Sequence, residues 1–554
     1  MKKLILFLTL ISPFVKLKAT ETYAVYFKDK ANSTFSINAP ENFLSKECLE
    51  RRKREHIGVT TLDLPVSECY LQAIEKTAVK ILYSIKFMNL VVVEIPDHSA
   101  IDFTQKFSFV LKQELLSDSK VKADRNKKLE EVENNRALPC DCDTLKFSDI
   151  YGAATNQNQM IRVDALHGRG YWGDSVIVAV FDAGFYHADS TIFFDSTFAA
   201  GRVLYKWDVV SNEQNVFDND MHGAYAWSCI AANIPGKMIG TAPHARFLLF
   251  RTENEASETI QEEYNWAYAS EVAENKGAAV FSTSLGYTTF DLGIMSHSYA
   301  DMNGHSTPIT KAANRAASLG VLVVNSAGNE GDKGWHYIAA PADGDSVLAV
   351  GAVTRDRQIA GFSSRGPNYS GQVKPDVCAQ GNPAAIGKET NQVGYANGTS
   401  FSGPIMAGAV ACLRGAFPSR QNIEILQAVK MSGHVYHQSN ESFGYGIPDF
   451  NIAYQLLKDS VFTDLASSSK STIRVFPNPF SEQLNVFVQD TSTATYTFQL
   501  IDMSGKRVYE NTATLCGETY QIIAITDVAD IPAGSYILRV LKGNIRQEIR
   551  IQKI

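Results

Sequence analysis

The chain lacks the basic excess of a nucleic-acid-binding protein: 52 Lys and Arg stand against 59 Asp and Glu, a formal net charge of −7 over 554 residues. The charged run from Val121 to Lys128 therefore reads as a solvated linker and implies no nucleic-acid partner. No apolar run beyond the extreme N-terminus reaches the roughly 18 residues that cross a bilayer, so no transmembrane helix is expected in the mature chain. Heptads, internal repeats and low-complexity tracts are missing too, which excludes coiled coils and solenoids. Cysteine is scarce, eight in all, too few for a disulfide-built scaffold. Cys48 and Cys69 fall in one N-terminal segment and Cys140 and Cys142 flank the activation region; the sequence leaves their pairing open. Cys229, Cys378 and Cys412 sit in apolar contexts that suit a small buried residue. None has a matching histidine context, so a cysteine nucleophile is not expected.

What is present divides the chain. Met1-Lys2-Lys3 followed by the apolar stretch Leu4 to Val15 reads as a signal peptide over residues 1–19. A small α+β segment follows at 20–98, with strands at Tyr23 to Phe27 and Leu90 to Ile95 and a helix from Ala73 to Val79. Residues 99–144 read as a linker and activation region, with cleavage expected between Lys120 and Leu145. The stretch 145–460 is long enough to bury a large core. A Ser-rich linker covers 461–471, and 472–554 alternates apolar and polar residues between turn signals, the pattern of a β-sandwich.

Three motifs in the central unit carry chemistry. The apolar run Val176 to Phe181 ends in Asp182-Ala183-Gly184 and reads as a buried parallel strand; active sites of open α/β sheets lie at the carboxyl ends of such strands. Asp220-Met221-His222-Gly223 precedes a small, apolar, proline-free stretch read as a buried helix beginning at the histidine. Asn397-Gly398-Thr399-Ser400 opens a second helix with Pro404 in its first turn, where proline is tolerated. A serine hydroxyl is a weak nucleophile that needs a base; imidazole titrates near neutrality and can return the proton to a leaving amine. A buried carboxylate fixes the ring's tautomer and stabilises its cation. Each residue alone is ordinary, a turn aspartate or an N-cap serine; the three together in the order Asp, His, Ser are not.

That order, with Asp182 first and Ser400 last, resembles the subtilisin-like serine proteases. The resemblance extends to Gly320 to Val324 running into Asn325-Ser326-Ala327-Gly328-Asn329, and it implies that Asn329 aims its amide at a developing oxyanion beside the Ser400 backbone amide. Phe281 to Gly286 resembles the family's edge strand, making Ser284, Leu285 and Gly286 the substrate-binding segment, with Tyr337 to Ala340 as a further pocket wall. The implied fold is α/β, a mainly parallel sheet flanked by helices. Ala183, Ala224 and Phe401 depart from common family residues without removing a proton-transfer partner.

The segment 20–98 resembles the family's inhibitory propeptide, which makes the chain's own N-terminal segment a partner. Pro477-Asn478-Pro479, Asp502 to Lys506 and Pro532 to Tyr536 resemble the C-terminal sorting domain of the type IX secretion system, implying export to the medium or cell surface by a secretion machinery. The expected function is a secreted serine endopeptidase acting on proteins or peptides through a covalent acyl-enzyme. The competing reading is a non-catalytic surface or adhesin protein that keeps the fold; the intact Asp182, His222, Asn329 and Ser400 argue against it. No cofactor is expected. Calcium is frequent in the family, but no stretch has a diagnostic ligand spacing, and no metal is assigned.

Overall fold

A computed structural model of the chain describes residues 20–96, 101–118 and 148–458, together with 463–464, 471–476, 480, 484–490, 494–515, 520–526, 528–543 and 545–553. The expected signal peptide, the expected cleavage region with Cys140 and Cys142, and the Pro477-Asn478-Pro479 motif lie outside the described residues.

The N-terminal unit is an antiparallel sheet of β1 (Thr20–Phe27), β2 (Lys80–Ile85), β3 (Leu90–Pro96) and β4 (Val110–Asp118) in the order β2-β3-β1-β4, with helices α1 (Lys46–Arg54) and α2 (Glu68–Glu75). Strand β3 is apolar on both faces because both are covered. Val91, Val93 and Ile95 pack with Ile74 of α2, while Leu90 and Val92 turn the other way and join the core of the central unit.

Two expectations for this region are corrected, and the open pairing of Cys48 and Cys69 is settled. The helix spans Glu68–Glu75 and not Ala73 to Val79; Ala78 has φ 64°, the left-handed conformation that ends a helix. The linker does not begin at residue 99, since β4 pairs along β1 as a fourth strand. Its polar, charged sequence suits the sheet edge it occupies. Cys48 and Cys69 do not pair: Cys48 is buried, Cys69 is exposed, and both thiols are free.

The central sheet has seven parallel strands: β5 (Ile177–Asp182), β6 (Val203–Asp208), β7 (Arg246–Arg251), β8 (Val280–Thr283), β9 (Leu322–Ser326), β10 (Val347–Thr354) and β11 (Val377–Asn382). Their order is β11-β10-β9-β8-β5-β7-β6. Strands succeed β5 first on one side and then on the other, so the crevice at its carboxyl end is the topological switch point where such sheets bind ligands.

Alternation along β5 sends Val178 and Val180 to one face and Ile177, Ala179 and Phe181 to the other. The first face is covered by α3 (His222–Ala231) and by α6 (Thr399–Ala416), the second by α4 (Gln261–Asn275) and α5 (Pro308–Ser318). Trp227 and Trp266 are wholly buried, one per face, each contributing about 4 to 6 kcal/mol of apolar burial. Helices α7 (Asn422–Met431) and α8 (Phe450–Lys458) close the unit.

The last unit packs two antiparallel sheets on one core that includes Val486, Phe498, Leu538 and Ile551. One sheet joins β12 (Thr463–Asp464), β13 (Ser471–Phe476), β14 (Leu484–Asp490) and, beyond it, β17 (Tyr520–Ile525). The other has the order β16 (Arg507–Leu515), β15 (Ala494–Asp502), β18 (Gly534–Lys542), β19 (Ile545–Lys553). The α/β centre between a small α+β unit and a β-sandwich is the architecture expected from the sequence.

Candidate active site

Asp182 is the last residue of β5 and is fully buried. Its Oδ1 accepts from the Ala183 amide at 2.9 Å and from His222 Nδ1 at 2.6 Å. Its Oδ2 is buried and meets no donor among the described residues; Ala183 has no hydroxyl to offer. Burial pushes this carboxyl up, and the neighbouring His222 pulls it back.

His222 is the first residue of α3, where the Asp220 carboxylate accepts from its backbone N–H and so satisfies one of the donors a helix start leaves free. A glycine is needed next. A Cβ at Gly223 would lie 2.2 Å from the Gly184 carbonyl oxygen and 2.7 Å from Asp182 Cβ, so only glycine lets the helix begin against the end of β5. Burial disfavours a charge on the ring, but Asp182 foremost, with Asp220 and Glu253, outweighs it and lifts the imidazole to about 9. The side chain keeps 18% of its surface exposed, facing outward.

Ser400 is the second residue of α6 and is partly exposed. No hydrogen bond joins its Oγ to the His222 ring, a bond that is often long in an unliganded enzyme. The two helix starts are nonetheless adjacent, since the rings of His222 and Phe401 lie 5.9 Å apart. Asn329 follows β9, and its Oδ1 accepts from both the backbone N–H and the hydroxyl of Thr399, each at 2.9 Å. An amide N–H can only donate, so the oxygen must face Thr399 and the NH2 end points away from it. Ser326 Oγ donates to the Thr399 carbonyl at 2.8 Å, a second tie between β9 and α6.

The segment from Phe281 is not an edge strand. Residues 280–283 form β8, the fourth of seven strands, hydrogen-bonded on both sides. Ser284, Leu285 and Gly286 run on beyond the sheet: Ser284 Oγ donates to the Ser400 carbonyl at 2.9 Å, and Asn325 Nδ2 donates to the Leu285 carbonyl at 3.0 Å. A Cβ at Gly286 would stand 3.1 Å from Ala339, and one at Gly328 3.7 Å from it, so Ala339 lies between those two segments.

Thr399, Asn325 and Asp220 hold this arrangement and were not singled out from the sequence. Thr399 stands inside the quoted Asn-Gly-Thr-Ser stretch, but its bonds to residue 329 bridge 70 positions and leave no local sign. Glu253, Glu258 and Glu262 offer carboxylate oxygens within 4.8 Å of one another, a set that could hold a cation.

Residues 173–446 match the subtilase family, residues 22–134 match the peptidase S8 propeptide domain of Bacteroidota, and residues 474–553 match the secretion system C-terminal sorting domain. The chain is similar to the thermostable alkaline protease of Halalkalibacterium halodurans, 29% identical over 52% of this chain and 70% of that one. It is 29% identical to subtilisin E of Bacillus subtilis over 53% of this chain and 70% of that protein. Against subtilisin-like protease SBT6.1 of Arabidopsis thaliana it is 28% identical over 57% of its own length, spanning 29% of the plant protein. By these matches and by the fold, residues 173–446 are a peptidase unit of the subtilase family of serine endopeptidases, set between an S8 propeptide domain and a secretion sorting domain.

Proposed function

We propose that the protein is a secreted endopeptidase in which Ser400 is the nucleophile, His222 the general base and Asp182 the group that orients the ring. The observation that carries this reading is the 2.6 Å bond from His222 Nδ1 to a fully buried carboxylate at the switch point of the sheet. Nδ1–H is thereby committed to Asp182, which leaves Nε2 as the basic nitrogen on the exposed side of the ring.

Ser400 Oγ attacks the scissile carbonyl carbon as its proton passes to Nε2, giving a tetrahedral oxyanion. The NH2 end of Asn329 and the Ser400 amide stabilise that charge, which exists only beyond the ground state. Collapse expels the amine, which takes the proton from Nε2, and leaves an acyl ester on Ser400. Water repeats the sequence and releases the acid.

The N-terminal unit acts as the inhibitor of its own peptidase until the segment after Asp118 is cut. Support for this comes from Ser117 Oγ, which bonds Gln261 at the start of α4, so the chain leaves the N-terminal unit at the pole where the strands of the central sheet end. Substrates are proteins or peptides bound along Ser284, Leu285 and Gly286, and the C-terminal sandwich directs export.

The test is active-site labelling. A fluorophosphonate is expected to modify Ser400 in the processed protein, and Ser400→Ala to abolish both labelling and casein cleavage. A variant that degraded casein at the parent rate would refute Ser400 as the nucleophile, and a parent that took no label and cut no casein would instead favour a surface protein that retains the fold without turnover.

A further inference from the structure

The N-terminal unit contacts the central one along α4 and on past its end, with the sheet and a protruding arm meeting at one cavity lined by Arg52, Lys86, Phe87, Glu271 and Glu274. The sheet face lies over α4, where Glu271 accepts from the Lys86 and Phe87 amides, both at 2.9 Å. The arm, residues 45–64, leaves the sheet and reaches the opposite pole, against the end of α4, the end of α5 and the start of α7. Gly320 precedes β9 and Asn329 follows it, so the length of a five-residue strand, about 16 Å, separates this arm from the cleft.

The arm's contacts are charged and buried. Arg52 donates from Nε and Nη2 to the two oxygens of Glu274 at 2.9 and 3.1 Å, and Arg51 joins the same carboxylate. Burial alone would raise Glu274; the two arginines outweigh it and hold the carboxyl far below its ordinary range. Glu55 pairs with Arg414 at 2.7 Å through one oxygen and caps the start of α7 through the other, accepting from the Asn422 amide at 2.9 Å. The surface is shaped for these side chains. A Cβ on Gly277 would stand 2.6 Å from Glu47 Cβ, and one on Gly320 2.4 Å from Glu55 Cγ.

We propose that the peptidase unit carries a second docking surface at the pole opposite its cleft, built for this arm of the propeptide, and that this anchor governs how long the propeptide stays after the chain is cut. Lys86 of the sheet also acts on Glu274 but makes no hydrogen bond to it, so an N-terminal unit without the matching arm leaves Glu274 without its arginine donors and Arg414 without its carboxylate. Blocking the cleft and holding the unit are then separable, the first done at the strand ends and the second at the far pole.

The proposal rests on reading residues 22–134 as a segment that is cut away, and its test is run without catalysis. Full-length Ser400→Ala protein with a specific protease site in place of residues 122–128 is nicked, nicking is read on a denaturing gel, and release of the N-terminal piece is timed by size exclusion after dilution. The pieces are expected to co-elute. Arg52→Gln with Glu55→Gln should speed release about 100-fold, the low end of what removing one partner of a buried pair produces. Glu271→Gln, one turn earlier on α4 and bonded to the sheet instead of the arm, should change it less than about tenfold. If the double variant does not accumulate folded, Glu55→Gln alone carries the test with about tenfold faster release. Pieces that part during the first column run, an anchor variant that releases at the parent rate, or a Glu271→Gln variant that releases faster than the anchor variant would each overturn the proposal. Failure of fluorophosphonate labelling in the unaltered protein would sink the proposed catalysis and leave this result standing.

Discussion

Replacing Asp182 by Asn keeps the size of the buried side chain and removes the charge that faces His222. The imidazole stands at about 9 in the folded protein against an ordinary 6.5, although burial works against its charged form. That difference corresponds to about 3 kcal/mol in favour of the protonated ring. Catalysis needs the neutral ring, so activity of the parent should climb with pH and reach half its plateau near 9. The sign for stability follows from linkage. A folded pKa above the unfolded one stabilises fully below pH 6.5, and the contribution is lost as pH rises through about 9.

In Asp182→Asn both signatures should vanish. The acid limb of kcat/KM should move to or below 6.5, and the alkaline loss of stability should flatten by about 3 kcal/mol. The activity itself should fall about 10^4-fold, the loss seen when the same carboxylate is replaced in a triad on an unrelated fold, because the amide favours the wrong tautomer. The assay is hydrolysis of a chromogenic peptide from pH 6 to 10, with urea unfolding at pH 6 and 9.5. A parent whose acid limb lies at or below 6.5, or an Asn variant within tenfold of the parent at pH 8, refutes the reasoning.

Asn329→Ala should lower kcat by about 10² to 10³ with KM little changed, a figure measured in subtilisin itself; a larger effect on KM than on kcat would argue against an oxyanion role. Gly223→Ala must push α3 away from Gly184 and Asp182, and a shift near 1 Å should cost about 100-fold in kcat/KM. Retained activity in that variant would show that the helix start is not fixed by this contact. Thr399→Val deletes one of the two donors to Asn329 Oδ1 and should reduce kcat about tenfold, a smaller loss than Asn329→Ala; equal losses would contradict the positioning role assigned to the hydroxyl.

Much of this was legible from local pattern. The buried run before Asp182, the small-residue stretches after His222 and Ser400 and the apolar run near Asn329 announce strands and helices because period and composition are properties of neighbours in sequence. The order of Asp182, His222 and Ser400 needs no coordinates either. Where the reading failed or stayed open, partners distant in sequence decided. Ser282 lies in a central strand because Val180 and Val324 flank it, which its own composition cannot state. Val110 to Asp118 looks like polar linker and becomes a strand because β1 offers it an edge. Cys48 remains a thiol because its sulfur is buried beside Glu274 of α4.

By itself, then, the chain determined which residue types are available for proton transfer and in what order they occur. Only the tertiary structure decided that His222 meets a buried carboxylate at 2.6 Å, that Thr399 sets the direction of the Asn329 amide, and that an arm of the N-terminal unit is held at the far pole. The reason is physical: a hydrogen bond or buried ion pair depends on distance and desolvation, and both are set by segments tens to hundreds of residues apart.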